Sequence, residues 1–262
     1  MEDFYLAVTY ILAGALGLSV GSFLNVVIYR VPLGISLAKP ASHCPKCKQR
    51  IAWYDNIPVI SYLILGGKCR NCKERISPRY TAVEIANAAL WLLSVFFWWE
   101  ESILLSCIYA LVFSLFICIF FIDLEHKLIF DRFQLVLLLF AVVSIFFDPD
   151  YGWLSHLIGG AGGFLFFFLV SLLSKCALKR EGLGGGDVKL ALVAGILLGW
   201  ERFLLSLLVA TIPAAIVMSI LTRGKEGEQR QFPFAPFLTV GFAVSMLFGT
   251  QIIGWYLSLL GL

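Results

Sequence analysis

Eight long apolar runs leave this chain few possible folds. They cover roughly residues 5–29, 81–99, 102–122, 133–147, 154–174, 187–200, 203–221 and 236–258. About 20 apolar residues is the length a helix needs to cross hydrocarbon, where each backbone polar group must be paired within its own segment. The runs are unbroken and rich in Leu, Ile and Phe, unlike the alternating strands of an outer-membrane barrel. The expectation is an all-α polytopic membrane protein with about eight transmembrane helices. The fourth and sixth runs are short, so each is extended by its flanks or sits beside a thinned, hydrated region. Only 14% of the 262 residues are charged, against about a quarter in a soluble domain. The first run has an acidic head (Glu2, Asp3) and no basic one, which suits a retained anchor rather than a cleaved signal peptide.

The basic residues orient these spans. With the N-terminus outside, the inside segments are 30–80, 123–132, 175–189 and 222–232. Together they hold 19 of the 20 Lys and Arg residues, and Arg202 is the only one left outside. A wrong span count would scramble this partition, so the positive-inside rule supports both the count and the orientation. The net charge of +3 thus marks topology, not a nucleic-acid partner. Both termini are expected outside.

The one sizeable polar segment is the inside loop 30–80. It contains "HCPKC" and "GKCRNC", which place Cys44, Cys47, Cys69 and Cys72 in two C-x-x-C pairs. Such pairs about twenty residues apart suit tetrahedral zinc. A reducing cytosol disfavours a disulfide reading. Four thiolates leave no open coordination position, so the zinc is expected to be structural, stapling a loop too short to bury much core. His43 adjoins the first pair but is not counted as a ligand. Cys107, Cys118 and Cys176 lie in or beside apolar spans and read as small buried hydrophobes.

Carboxylates gather at the inner ends of the spans. The third run ends in "FIDLEHKLIFDRF", with Asp123, Glu125 and Asp131, and Asp187 heads the sixth run at the same surface. Singly, Asp187 reads as a helix N-cap and Asp123 as a solvated residue just past a helix end. Together they suggest carboxylate chemistry, because ionisable groups at this depth are candidates for function. Two close carboxylates share a proton, so one can act as base on a water while the other acts as acid. Gly184, Gly185 and Gly186, with Gly182, precede Asp187. Without side chains they can take φ > 0 and let a substrate backbone approach; the plainer account is a flexible loop before a helix. Lys189 projects from a different helical face and either snorkels at the inner surface or acts near the substrate.

Two further patterns read as structural. "GGAGG" (Gly159–Gly163), and Gly17 with Gly21, place small residues four apart for close helix packing. Trp98, Trp99, Trp153, Trp200 and Trp255 lie near outer span ends, as an aromatic belt would.

Gly184-Gly185-Gly186-Asp187 followed by V-K-L-A resembles the second aspartate motif of the prepilin peptidases, the type IV leader peptidases among the G-x-G-D intramembrane aspartyl proteases. "FID" with Asp123 resembles their first aspartate motif. "GSFLNVVIYRVP" (Gly21–Pro32), the stretch Trp53–Glu84 around the second cysteine pair, and "PFAPFL" (Pro233–Leu238) are similar to further family motifs, in the same order. The resemblance covers most of the chain.

This resemblance implies cleavage of the basic leader of prepilins and pseudopilins at the cytoplasmic face of the bacterial inner membrane, in type IV pilus or type II secretion systems. It implies Asp123 and Asp187 as the catalytic pair, and a zinc loop of the kind found in bifunctional members. Those members also N-methylate the new N-terminus with S-adenosylmethionine. Glu84 and Asp131 are possible accessory residues. The implied domains are a first transmembrane helix (1–29), a cytoplasmic zinc-binding loop (30–80) and a seven-helix membrane protease domain (81–262). The chain departs from the family pattern at Phe130, where I-P-D is usual, at Ala235 in place of Gly, and at Ala88, near a common Gly. Methyl transfer rests on the resemblance alone, so the nearest alternative is a protease-only member. The alternatives from other classes are a proton-coupled transporter, which calls for charges deep in several spans, and a non-enzymatic assembly component, which would tolerate loss of both aspartates.

Overall fold

A computed structural model describes residues 2–148, 152–178, 183–222 and 232–261. Gly182 and several of the basic residues counted for orientation (Lys179, Arg180, Arg223, Lys225, Arg230) lie outside the described residues. The elements are α1 (Glu2–Arg30), a short 3-10 turn (Trp53–Asn56), α2 (Ile60–Ile64), α3 (Pro78–Trp98), α4 (Ile103–His126), α5 (Asp131–Ser144), α6 (Trp153–Leu178), α7 (Gly185–Thr222) and α8 (Ala235–Leu259). No strand forms among the described residues; the only β pairing is two isolated bridges. The chain makes two compact units, Met1–Cys118 and Ile119–Leu262, and α4 contributes to both.

Among the described residues, six helices are long and apolar enough to cross a membrane: α1, α3, α4, α6, α7 and α8. The eight expected runs are recovered because α7 is two passes and α5 is a further, short one. Gly199 interrupts α7 with φ 74°, ψ 167°, a conformation open to glycine and strained for other residues. Before the break, Ala191 lies against Gly163, Gly195 against Gly159 and Gly199 against Ser155, so this pass climbs toward the start of α6. After it, Arg202 lies against Gly249 and Ser206 and Ala210 against Gly241, so the chain descends toward the start of α8. The start of α8 itself meets the later part of α6, with the Phe167 and Phe234 rings 6.5 Å apart. The two passes of α7 are therefore antiparallel. The first pass, residues 185–198, and α5 each reach only about 21 Å at the α-helical rise, well short of a hydrocarbon core about 30 Å thick.

The apolar surface is turned outward, as in a protein solvated by lipid. On α6, Phe166, Leu169 and Leu173 are exposed while Phe167 is buried. Small residues account for the closest helix contacts: a Cβ on Gly195 would run into the backbone of Gly159, and one on Gly17 would come within 2.8 Å of the Ala88 Cα. In the first unit a buried polar chain joins α1, α3 and α4. Asn87 Nδ2 donates to the Gly17 carbonyl (2.7 Å), Ser114 Oγ to Asn87 Oδ1 (2.8 Å) and Trp91 Nε1 to Ser114 Oγ (2.9 Å).

Two expectations are corrected here. Trp98 does not belong to a lipid-facing belt: it is buried, with its ring edge-on to Tyr109 at 4.6 Å. Cys107 and Cys176 are exposed, and only Cys118 of the three lone cysteines is buried. Arg202, the one cation that the charge count leaves outside the inner segments, is buried and donates to Asp148 Oδ2 at 2.7 Å.

Candidate active site and metal centre

Asp123 is not a solvated residue past a helix end. α4 continues to His126, and Asp123 lies in its final turns with 6% exposure. Its Oδ2 accepts from the backbone N–H of Ala235 at 3.1 Å. Ala235 is the first residue of α8, so its N–H is one of the donors a helix leaves unpaired at its start. The residue before it, Phe234, gives no side-chain cap, and the next, Pro236, has no N–H to offer. A carboxylate 112 residues earlier in the chain does the capping.

Asp187 is likewise not an N-cap. α7 begins at Gly185, which makes Gly184 the cap residue and Asp187 the third residue of the helix. From there its carboxylate reaches back to the Gly184 N–H, the reverse arm of a capping box. Its Oδ1 is buried without a protein hydrogen-bond partner. Asp123 and Asp187 are close enough to interact electrostatically, so α4, α7 and α8 meet at one carboxylate pair within the second unit.

Gly184, Gly185 and Gly186 have no positive φ. Gly185 and Gly186 belong to the first turn of α7, so the left-handed conformation expected of these glycines is not their role. Their lack of side chains matters instead. A Cβ on Gly184 would lie 3.3 Å from Asp187 Oδ2, one on Gly186 would lie 3.0 Å from the Ile129 Cβ, and one on Gly185 would meet nothing within 4 Å. Gly184 and Gly186 are packed against neighbours, whereas Gly185 presents bare backbone to open space. Gln134 of α5, not singled out in the sequence, donates through Nε2 to the Gly186 carbonyl at 2.9 Å and holds this turn in place. Its signal was available: one amide at the head of an otherwise apolar run.

Lys189 and Asp131 find one another. Lys189 Nζ donates to Asp131 Oδ1 at 2.8 Å, with both side chains more than half exposed. The pair ties the start of α5 to the first pass of α7. Glu125 is exposed. Glu84 is elsewhere, in the first unit. It is buried near the start of α3, and its Oε2 accepts the N–H of Val59 at 2.8 Å. Val59 has φ 61°, a strained conformation for a β-branched residue. Glu84 thus anchors a strained point of the loop 30–80.

The four cysteines converge. Their sulfur atoms all lie within 4.8 Å of one another, and Cys44 Sγ is 3.8 Å from Cys72 Sγ. Zinc–sulfur bonds of about 2.3 Å in a tetrahedron place sulfur atoms about 3.8 Å apart. The two halves are built alike. "CPKCKQR" and "CRNCKER" each turn through a left-handed lysine, Lys48 or Lys73. Each closes with an antiparallel bridge, His43 with Arg50 and Lys68 with Arg75. His43 Nδ1 instead contacts the Ala41 carbonyl, and His43 is not part of the cluster. Backbone N–H groups of Cys72 and Asn71 aim at Cys69 and bring its thiol down to about 7. The Glu74 N–H favours the Cys72 thiolate, but desolvation and the crowded neighbouring thiols outweigh it and raise Cys72 to about 11. These residues fit a tetrathiolate zinc site. Arg70 forms a two-pronged pair with Asp55 (2.6 and 2.8 Å) that joins the second half to the 3-10 turn and holds the Asp55 carboxyl below its usual range.

Residues 15–98 match the family model for the bacterial peptidase A24 N-terminal domain, and residues 110–219 match that for the type IV leader peptidase family. Among curated relatives, the prepilin leader peptidase/N-methyltransferase of Pseudomonas aeruginosa is 34% identical, over 94% of this chain and 92% of the relative. Proteins of the same description from Dichelobacter nodosus and Bacillus subtilis are 37% and 33% identical. Those matches cover 91% and 93% of this chain, and 91% and 96% of the relatives. No solved structure matches.

Proposed function

The chain belongs to the type IV leader peptidase family, and from that premise we propose that it cleaves prepilin leader peptides and N-methylates the new N-terminus. The observation that carries the cleavage reading is the pair itself: Asp123 held by Ala235 and Asp187 beside it in electrostatic reach. One carboxylate takes a proton from water as the water oxygen attacks the scissile carbonyl carbon. The other, protonated, donates to the carbonyl oxygen, and the C–N bond then breaks as the leaving amine is protonated. The pair titrates as a unit. Bare backbone at Gly185 gives an extended substrate room to approach, while Lys189 and Asp131 brace the two short helices beside it.

The charge partition sets the orientation. The active site and the zinc loop face the cytoplasm of the bacterial inner membrane, both termini face outward, and the partners are prepilins or pseudopilins within membrane lipid. Cys44, Cys47, Cys69 and Cys72 hold a structural zinc that fixes the loop. Methyl transfer requires an electrophilic methyl, which the sulfonium of S-adenosylmethionine supplies to the free amine. The test is incubation of detergent-purified protein with a prepilin and S-adenosylmethionine, followed by mass spectrometry of the product N-terminus. A shortened product bearing one added methyl group is expected. An uncut substrate defeats the protease reading, and a cut, unmethylated product defeats the methyltransferase part alone.

A further inference from the structure

A polar cavity of about 360 Å³ lies along α1 within the first unit. One wall is a single stripe of that helix, Ser19, Ser22, Phe23, Val26 and Arg30, at helical spacing. From Ser19 to Arg30 this stripe is about 16 Å long. The opposite wall is loop 37–42 together with Asn56 and Pro58. Cavities of a few hundred Å³ suit small-molecule ligands, and the length favours an extended one.

The charges are arranged at two places. Arg30 is 7% exposed, and its guanidinium donates to the carbonyls of Ser36, Leu37 and Pro40. None of these acceptors carries a charge, so the cation is hydrogen-bonded without being neutralised, which favours an anionic group. About 12 Å along the helix, Ser22 hydrogen-bonds the Glu84 carboxyl group, which stands directly behind the wall. Strained Val59, which also binds Glu84, follows Pro58 of the opposite wall. A ligand matching both ends carries a carboxylate at one point and a cation further along, with polar and apolar surface for the serines, Asn56 and Phe23.

We propose that this cavity binds S-adenosylmethionine, with the aminoacyl carboxylate toward Arg30 and the sulfonium toward Ser22 and Glu84. The proposal rests on the methyltransferase reading above. It gives Glu84 a purpose beyond anchoring the loop, and it gives the zinc a reason to be structural, since the loop it fixes forms one wall.

The test uses the full chain in detergent with radiolabelled S-adenosylmethionine. Ultraviolet cross-linking followed by peptide mapping is expected to place the label within residues 19–42 or at 56–58. Ala38→Trp, which fills the cavity from an exposed loop position, is expected to weaken equilibrium binding at least tenfold without changing the melting temperature. Glu84→Gln is expected to weaken S-adenosylmethionine binding about tenfold but S-adenosylhomocysteine, which lacks the sulfonium charge, much less. A label elsewhere, or wild-type affinity in Ala38→Trp, overturns the assignment. A wild-type protein that cuts prepilin but binds no S-adenosylmethionine overturns the methyltransferase reading and this site together. Cleavage and binding in the wild type with equal loss of both ligands in Glu84→Gln overturns the sulfonium placement.

Discussion

The Asp123 carboxylate caps the helix that begins at Ala235: its Oδ2 accepts the Ala235 N–H at 3.1 Å, across 112 residues of chain. This one bond joins the end of α4 to the start of α8 and explains why the "PFAPFL" segment belongs to the site although it carries no catalytic side chain. It also separates two substitutions that remove the same charge. Asp123→Asn keeps an acceptor for Ala235, so the protein is expected to fold while cleavage falls by about 10²–10⁴-fold. Asp123→Ala leaves that N–H buried and unpaired, at a further cost of about 1–3 kcal/mol. Melting in detergent alongside a prepilin cleavage assay distinguishes them. Normal processing by Asp123→Asn, or by Asp187→Asn, removes these residues from the catalytic role.

The glycines before Asp187 divide by what surrounds them. Gly186→Ala drives a Cβ toward Ile129, so it is expected to lower both stability and cleavage. Gly185→Ala meets open space and improves helix propensity, so its melting temperature should hold or rise. If bare backbone at Gly185 receives the substrate, the same variant raises KM severalfold. An unchanged KM would show that the substrate does not use this backbone.

The cysteine cluster makes zinc affinity depend on pH. Folding depresses the Cys69 thiol from 9.0 to about 7, so its contribution to the metal-free loop is full above pH 9 and is lost as pH falls through 7. Cys72, raised to about 11, acts in the opposite sense: its contribution is present below pH 9 and lost as pH rises toward 11. Zinc must displace the remaining thiol protons, so its affinity is expected to rise from pH 6 to pH 8, measured by competition with a chromophoric chelator. Serine at Cys44 and Cys47 should impair methylation more than cleavage.

At the other end of the second unit, Arg202 and Asp148 form a pair that is 5% and 2% exposed, with His156 Nε2 3.8 Å from the same carboxylate oxygen. Arg202 follows the reversal at Gly199, and the pair ties this point to the end of α5. Breaking a buried pair from one side costs about 3–5 kcal/mol. Arg202→Met is therefore expected to lower the melting temperature markedly, and Arg202→Met with Asp148→Leu to recover part of the loss. Additive losses in the double variant would argue against direct coupling.

Much was legible in the chain itself. The spans and the two zinc half-sites are local patterns: a run of apolar residues, a C-x-x-C followed by K-x-R. Each is decided by neighbours in sequence, because a helix must satisfy its backbone internally in lipid and a knuckle closes within a few residues. The two aspartates were legible as residue types at one depth, but not as a capping arrangement.

The tertiary structure alone decided what depends on distant residues meeting. Asp123 is buried because α8 begins against it; Lys189 pairs with Asp131 because two short helices lie side by side. The sequence separates the sixth and seventh runs near residue 200, but that Gly199 makes the turn and that Arg202 pairs with Asp148 depends on packing. Hydropathy records how a segment partitions into lipid, and that is a property of the segment. Which buried polar group satisfies which is a property of packing, and the sequence states it only through the fold.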